Sequence, residues 1–282
     1  MRVHHLNCGT DCPFGGALFD GRSMGPLGHL VCHCLLIETD AHGLVLIDTG
    51  YGLRDVDHPH RDPARITRFM RGLLNIRLRE EETAFRQIEA LGLDPLDVRH
   101  IVLTHLDFDH AGGLEDFPTA LVHVMEMEFA AATGPRSGFV PRNRYRPSQL
   151  NDVQGWRRYA GTGEPWFGFD AVRGLEGLPP EILLVPLPGH TWGHAGVAID
   201  TGERWLLHAG DAYFYRGEMR RAKRHCTPGL RGYQTMMEVS RRDRLLNQQR
   251  LRALSLDRPG EVQIVCAHDP VEFERCAAGQ PL

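Results

Sequence analysis

His105-Leu106-Asp107-Phe108-Asp109-His110-Ala111-Gly112-Gly113 is the stretch from which the rest of the chain is read. Three or four metal-capable side chains fall together here, directly after the apolar run His100 to Thr104, which reads as a strand. On a regular strand Asp109 and His110 would diverge, so the segment must leave strand geometry, and the glycines at 112 and 113 permit a tight return. Taken alone, it has a less favoured alternative, a surface-polar loop whose aspartates cap a following helix. That alternative weakens because the pattern recurs. Pro188-Gly189-His190-Thr191-Trp192-Gly193-His194, His208-Ala209-Gly210-Asp211-Ala212 and Cys266-Ala267-His268-Asp269 each put a ligand-type side chain just beyond an apolar strand.

Upstream, Leu30 to Ile37 alternates with Cys32 and Cys34 and reads as a strand, Asp40 to Gly43 has turn chemistry, and Leu44 to Ile47 is a second strand ending in Asp48-Thr49-Gly50. A carboxylate is thereby placed at a strand's C-terminal edge, where sites in α/β folds gather. Helical spacing appears at Ile66, Phe69, Met70 and Leu73 and again at Ala84, Phe85, Ile88 and Leu91, with Gly92 as a C-terminal stop. Further strands are expected at Leu121 to Val124, Ile182 to Leu187, Ala195 to Ile199, Arg204 to His208 and Val262 to Ala267. Helices are expected over Glu126 to Ala132 and most of Tyr233 to Leu254. Strands in two groups with helices between fit a layered α/β fold with more than one sheet. Residues 134 to 180 hold many Gly, Pro, Arg and aromatic residues without a clean period, and are expected to form a lid or pocket insertion. Tyr145, Trp156, Trp166 and Phe167 are its candidates for a substrate-pocket wall; the alternative is a segment packing on its own aromatics.

With 282 residues and 42% hydrophobic content, the chain is expected to form one domain spanning 1–282. A net charge of -4 offers no positive field for nucleic acid or an anionic membrane, so the expected partner is a small-molecule substrate. No apolar run approaches the ~18 residues of a membrane span, and Met1 to His5 lacks a signal peptide's apolar core, so a cytoplasmic location is expected. Seven cysteines, an odd number without paired zinc-site spacing, are expected to be reduced thiols.

In their order, the motifs resemble those of the metallo-β-lactamase superfamily: His-x-His-x-Asp-His, a later Gly-His, a bridging Asp and a final His, matched here from about Leu30 to His268. The resemblance implies an αββα four-layer sandwich with two divalent metal ions at one edge of two facing sheets. It assigns His105 and His190 to the first metal, Asp109, His110 and His268 to the second, and Asp211 to both. Asp48 would orient a ligand histidine through its free ring N–H. His194 is expected to hydrogen-bond rather than ligate, His208 to pack in the core, and His58 and His60 to face solvent. One position departs from the pattern, because the second motif histidine is Asp107. Asp107 is expected to coordinate, with the alternative that it misses the metal. A carboxylate there shifts preference from zinc, the usual metal by family, toward manganese or iron.

The wording His-Leu-x-Phe-Asp-His-Ala-Gly-Gly is similar to the N-acyl homoserine lactonase-like branch. That implies hydrolysis of a lactone or carboxylic ester by a metal-bridging hydroxide, with Asp109 relaying a proton to the leaving group. Tyr213 and Tyr215 are candidates to stabilise the oxyanion, although the lactonase tyrosine position is Phe214 in this chain. Thioester or phosphotriester hydrolysis is the nearest alternative. From another class, a di-iron redox protein of the flavodiiron type also has an acidic residue at the second motif position.

Overall fold

The computed structural model describes residues 1–57, 65–161, 163–171, 174–219, 223–280 and 282. Its strands, in chain order, are β1 (Arg2–Asp11), β2 (Leu30–Glu38), β3 (Leu44–Ile47), β4 (Ile76–Arg77), β5 (Val98–Val102), β6 (Leu121–Met125), β7 (Gly155–Tyr159), β8 (Glu164–Trp166), β9 (Phe169–Ala171), β10 (Ile182–Pro186), β11 (Ala195–Asp200), β12 (Trp205–His208) and β13 (Val262–Val265). They form a seven-stranded sheet ordered β4-β1-β2-β3-β5-β6-β7, a four-stranded sheet ordered β10-β11-β12-β13, and a β8-β9 pair.

The period of two along each strand builds the layers. Leu35, Ile37, Val45 and Ile47 point from the large sheet onto Ile182, Leu184, Val197 and Ile199 of the small one. Their neighbours Cys34, Leu36, Leu44 and Leu46 face the other way and pack with Ala84 and Ile88 of the Ala84–Ala90 helix. On the far side, Leu183, Val185, Ala198, Leu207 and Ile264 meet Leu251 and Leu254 of the Arg241–Asp257 helix. The layers are therefore helix, sheet, sheet, helix, as expected. Strands buried on both faces explain why β2 and β10 read as nearly unbroken apolar runs.

Strand direction collects the functional residues at one edge. β3 and β5 are parallel, as are β12 and β13, while β1 and β2 alternate in direction beside β3. The C-terminal ends of β1, β3, β5, β12 and β13 and the start of β2 thus share one side. The sheets are stitched together there by backbone hydrogen bonds, Ala195 N to Thr104 O at 2.9 Å and His33 N to Ala267 O at 2.8 Å.

Two expectations need correction. The helix expected over Tyr233 to Leu254 is two helices, Pro228–Met237 and Arg241–Asp257. The break is tertiary in origin, since Val239 N and Ser240 N both donate to the carbonyl of Gly189, beside His190. The stretch 134 to 180 is not a single lid. It supplies the Phe139–Arg144 helix, the edge strand β7 and the β8-β9 pair. Its aromatics pack locally: Trp156 stacks edge-on against Phe129 at 5.0 Å, and Trp166 meets Phe167 at 5.1 Å and Trp205 at 5.5 Å. No helix among the described residues is long and apolar enough to cross a membrane.

Candidate metal centre

Past Val102, Leu103 N still bonds to His123 O of β6, but the next donor, Thr104 N, is diverted to Asp48 Oδ1 at 2.8 Å, and β5 ends. Beyond it, His110 N and Ala111 N both return to Asp107 O at 3.0 Å, closing the tight turn that the motif requires. Thr49 pins this turn to β3, its N and Oγ1 each donating to His110 O at 2.8 Å.

Seven buried side chains converge at the edge: His105, Asp107, Asp109, His110, His190, Asp211 and His268. In one group, Asp107 Oδ2 lies 3.6 Å from His105 Nε2 and 3.1 Å from His190 Nε2, and Asp211 Oδ2 lies 3.7 and 3.3 Å from the same nitrogens. In the other, Asp211 Oδ1 lies 3.4 Å from His110 Nε2 and 3.0 Å from His268 Nε2. Asp109 Oδ2 completes that group at 4.0 and 3.7 Å from those two nitrogens. Ligand atoms about 2.0–2.2 Å from a tetrahedral metal stand roughly 3.3–3.6 Å from one another. Both groups have about that spacing. His105 Nε2, His110 Nε2 and Asp211 Oδ1 are moreover buried without a hydrogen-bond partner, a state that costs about 1–3 kcal/mol per atom unless something else occupies it. The His and Asp donor sets therefore suit divalent cations.

Supporting contacts hold the ligands by their other ends. His110 Nδ1 lies 2.8 Å from Asp48 Oδ2, His105 Nδ1 2.9 Å from Thr104 Oγ1, and His268 Nδ1 2.8 Å from Val31 O. His194 does not join the ligands: it pairs with Leu187 O through Nδ1 and accepts from Asp211 N through Nε2 at 2.9 Å. Gly210 has to be glycine, with φ at +51° and a hypothetical Cβ only 2.7 Å from His194 Nε2. His208 is buried in the core, its Nε2 2.6 Å from His33 O. His58 and His60 lie outside the described residues. Asp48→Asn presents an amide N–H to His110 Nδ1 and Thr104 Oγ1 in place of a carboxylate oxygen. It is expected to weaken metal affinity about 10–100-fold without unfolding the chain, measurable by chelator competition.

Carboxylates set the field around His110 and His268. Burial opposes a charge on His268, yet Asp211 and Asp109 outweigh it and push its pKa up to about 9. His110 is raised well above the usual range against the same burial by Asp211, Asp48 and Asp109. Burial raises Asp109, helped by Asp211 and Asp107. Asp107 is held well below the carboxylate range because Arg144 and His105 overcome its burial.

The family model described as the metallo-beta-lactamase superfamily matches residues 27–254. The chain belongs to that superfamily. A probable metallo-hydrolase of Mycobacterium tuberculosis is 43% identical over 271 residues, covering 96% of this chain and 81% of the relative. An N-acyl homoserine lactonase of Bacillus cereus is 26% identical, covering 69% and 71%. A solved N-acyl homoserine lactone hydrolase with the product N-hexanoyl-L-homoserine at its catalytic metal centre shares the fold with TM-score 0.68 at 20% identity, covering 97% of this chain and 95% of that one. The protein is thus a metallo-hydrolase of the metallo-beta-lactamase superfamily, a family that implies divalent metal ions.

Around this superfamily centre, several expected residues stand elsewhere. Tyr213 donates to Glu272 Oε2 at 2.9 Å, which also accepts Cys266 N, so this phenol braces the segment before His268. Tyr215 stacks under Arg216 at 4.5 Å, with its hydroxyl against Gly21. Neither is placed for an oxyanion. The reason is the extended backbone at both residues, which turns the intervening Phe214 inward, where it stacks on His268 at 5.1 Å. Tyr145, Trp156, Trp166 and Phe167 do not wall the site either. Tyr145 bridges the backbone of Asp107 and is buried in the outer core of the large sheet with Trp156 against it, whereas Trp166 and Phe167 belong to the core outside the small sheet.

A narrow cavity instead reaches Asp109 and His268, walled by Phe19, Leu30, Leu74, Phe214 and Leu230, with Asp11 and Tyr233 as its polar edge. A wider depression around Thr39, His42 and Asp200 lies at the β2–β3 turn, the opposite end of the strands. Asp11 accepts from Tyr51 at 3.0 Å, and burial together with Asp109 raises it to about 7. Burial and the three carboxylates of the centre raise the Tyr233 phenol, which therefore keeps its proton. Cys32, expected as a reduced thiol, has its sulfur within 4.8 Å of ligand atoms of Asp109 and His268.

Sequence reasoning missed Asp11, Arg144, Glu128 and Tyr233. Only Tyr233 had a signal, sharing helical spacing with Leu230, Gln234 and Met237.

Proposed function

We propose that this metallo-hydrolase cleaves a lactone or carboxylic ester at a centre of two divalent metals, with the whole chain forming one domain around it. The observation that carries the proposal is Asp211, whose two carboxylate oxygens each face a separate set of donor atoms at 3.0–3.7 Å. Similarity to lactonases favours a lactone. Zinc is the first expectation, with manganese or iron favoured to the extent that Asp107 ligates.

When bound, two such ions supply a strong nucleophile at neutral pH and a Lewis acid for the scissile carbonyl. The protein's own groups do the rest. Asp109, which lines the cavity, would carry a proton to the departing oxygen. Phe214 covers His268 and excludes water on that side. Tyr233 presents a protonated phenol at the cavity edge, where it can donate to a substrate oxygen.

The deciding experiment follows proton release from lactones, aryl esters, thioesters and phosphotriesters, using protein loaded with zinc, manganese or iron beside the Asp109→Asn variant. Lactone hydrolysis that Asp109→Asn abolishes is the expected result. Release confined to thioesters or phosphotriesters would replace the substrate class, and silence across the panel would sink the lactone or ester reading. Prolonged chelation is expected to abolish turnover and metal resupply to restore it; activity persisting in protein shown metal-free by elemental analysis would exclude the mechanism.

A further inference from the structure

We infer that Arg144 is the built-in counter-ion of Asp107, and that the buried pair replaces, in charge, the neutral histidine that the superfamily pattern has at position 107. The inference rests on the reading that the cluster holds two metals. Arg144 ends the Phe139–Arg144 helix and is 0% exposed. A guanidinium cannot shed its charge in a protein, so full burial demands a compensating partner. Among the described residues, Asp107 is the carboxylate within ion-pair distance, its Oδ1 3.4 Å from Arg144 Nε. Of the remaining donors, Nη1 bonds to His190 O at 2.8 Å and Nη2 to Met237 O at 2.6 Å, with Nη2 also 3.5 Å from His190 Nε2. The guanidinium is therefore anchored independently of Asp107 and stands at one side of the first donor set.

This arrangement divides the Asp107 carboxylate. Oδ1 faces the arginine, while Oδ2 faces the site, 3.1 Å from His190 Nε2 and 3.6 Å from His105 Nε2. The segment that delivers Arg144 also grips the motif, through the Asp107–Tyr145 bridge and Gln149 Nε2 to Phe108 O at 3.1 Å. A carboxylate and a guanidinium together bring no net charge, as a neutral imidazole brings none. Arg144 is a positioning residue with no place in the reaction itself. The two positions should consequently be interdependent. Histidine at 107 would leave an uncompensated cation a few ångströms from the first metal, where a unit charge still exerts a strong effect at protein dielectric.

The test titrates metal-free, full-length protein with zinc against a chromophoric chelator, with stoichiometry from elemental analysis. Wild type is expected to bind two equivalents. Asp107→His should lose affinity for one of them at least about tenfold. Adding Arg144→Gln to that variant should recover the loss, while adding Arg144→Lys should not, because lysine keeps the charge. Arg144→Gln alone should tighten binding of the same equivalent. Thermal melts of the metal-free variants separate these effects from misfolding. Additive losses in the double variant, or equal rescue by Gln and Lys, would overturn the inference while leaving the two-metal reading intact. One equivalent in wild type and two in Arg144→Gln would also overturn it, by showing the guanidinium standing in the first metal's place. No binding by wild type would remove both readings.

Discussion

Asp211→Ala is expected to strip the centre of both metals and to lower kcat/KM by on the order of 10³-fold or more. The residue is the one shared element of the two donor sets, with Oδ2 toward His105 and His190 and Oδ1 toward His110 and His268. Alanine removes one ligand atom from each set at once, and it removes one of the negative charges that make the buried cluster cation-seeking. Loss of a ligand that served a single metal, as in His268→Ala, should leave the other equivalent bound. Elemental analysis after desalting separates the two patterns. If Asp211→Ala retained one tightly bound equivalent per chain, the bridging role would be wrong even if activity fell. The backbone should survive the change, since His194 accepts from Asp211 N and not from its side chain.

Glu128→Ala should produce the largest stability loss outside the hydrophobic core, about 3 kcal/mol. The side chain is fully buried on the Glu126–Thr133 helix and touches no ligand. It accepts from Leu106 N at 3.0 Å through Oε1, and from Thr191 Oγ1 at 2.5 Å and Gly193 N at 3.2 Å through Oε2. One carboxylate thus ties the loop of His105 to the loop of His190. Alanine leaves two buried N–H groups and a hydroxyl without partners, each costing about 1–3 kcal/mol before any water repairs the site. Gly193 belongs to the same device, because a Cβ there would sit 2.1 Å from Glu128 N. The check is urea denaturation with an unchanged m-value and a lowered midpoint. A loss below about 1 kcal/mol would show that the loops are held by other contacts. Glu128→Gln should fall between, since its amide can satisfy only part of the donor set.

Much of the centre was legible in the sequence because its ligand motifs are local. A ligand that follows a strand directly is aimed at that strand's C-terminal edge, and parallel strands bring such edges together. His105, Asp109, His110, His190, Asp211 and His268 were singled out in this way, and Asp48 by the same reasoning applied to β3, while their roles came from the superfamily resemblance. The layered fold was legible too, because strands covered on both faces are apolar throughout while their covering helices repeat at three and four residues. The aromatic candidates failed for a related reason. Tyrosine, tryptophan and phenylalanine fit a core, a sheet edge and a pocket wall equally well, so composition could not say which surface they would meet. Tyr213 and Tyr215 were misplaced by one residue of strand alternation, which Phe214 won.

By itself, then, the sequence determined the strands, the layer type and the identity of the metal-capable donors, all of which depend on near neighbours. Tertiary structure brings those donors into groups, which the superfamily resemblance implied but no local pattern could show. Asp107 and His190 meet across 83 residues, and Arg144 reaches the His190 carbonyl across 46. No periodicity extends over such separations. The counter-ion of Asp107, the brace of Glu128 and the cavity edge of Asp11 and Tyr233 exist only because packing of the sheets and helices brings distant chain segments into a space from which water is largely excluded. There an unpaired charge or donor is costly, and that cost selects its partner.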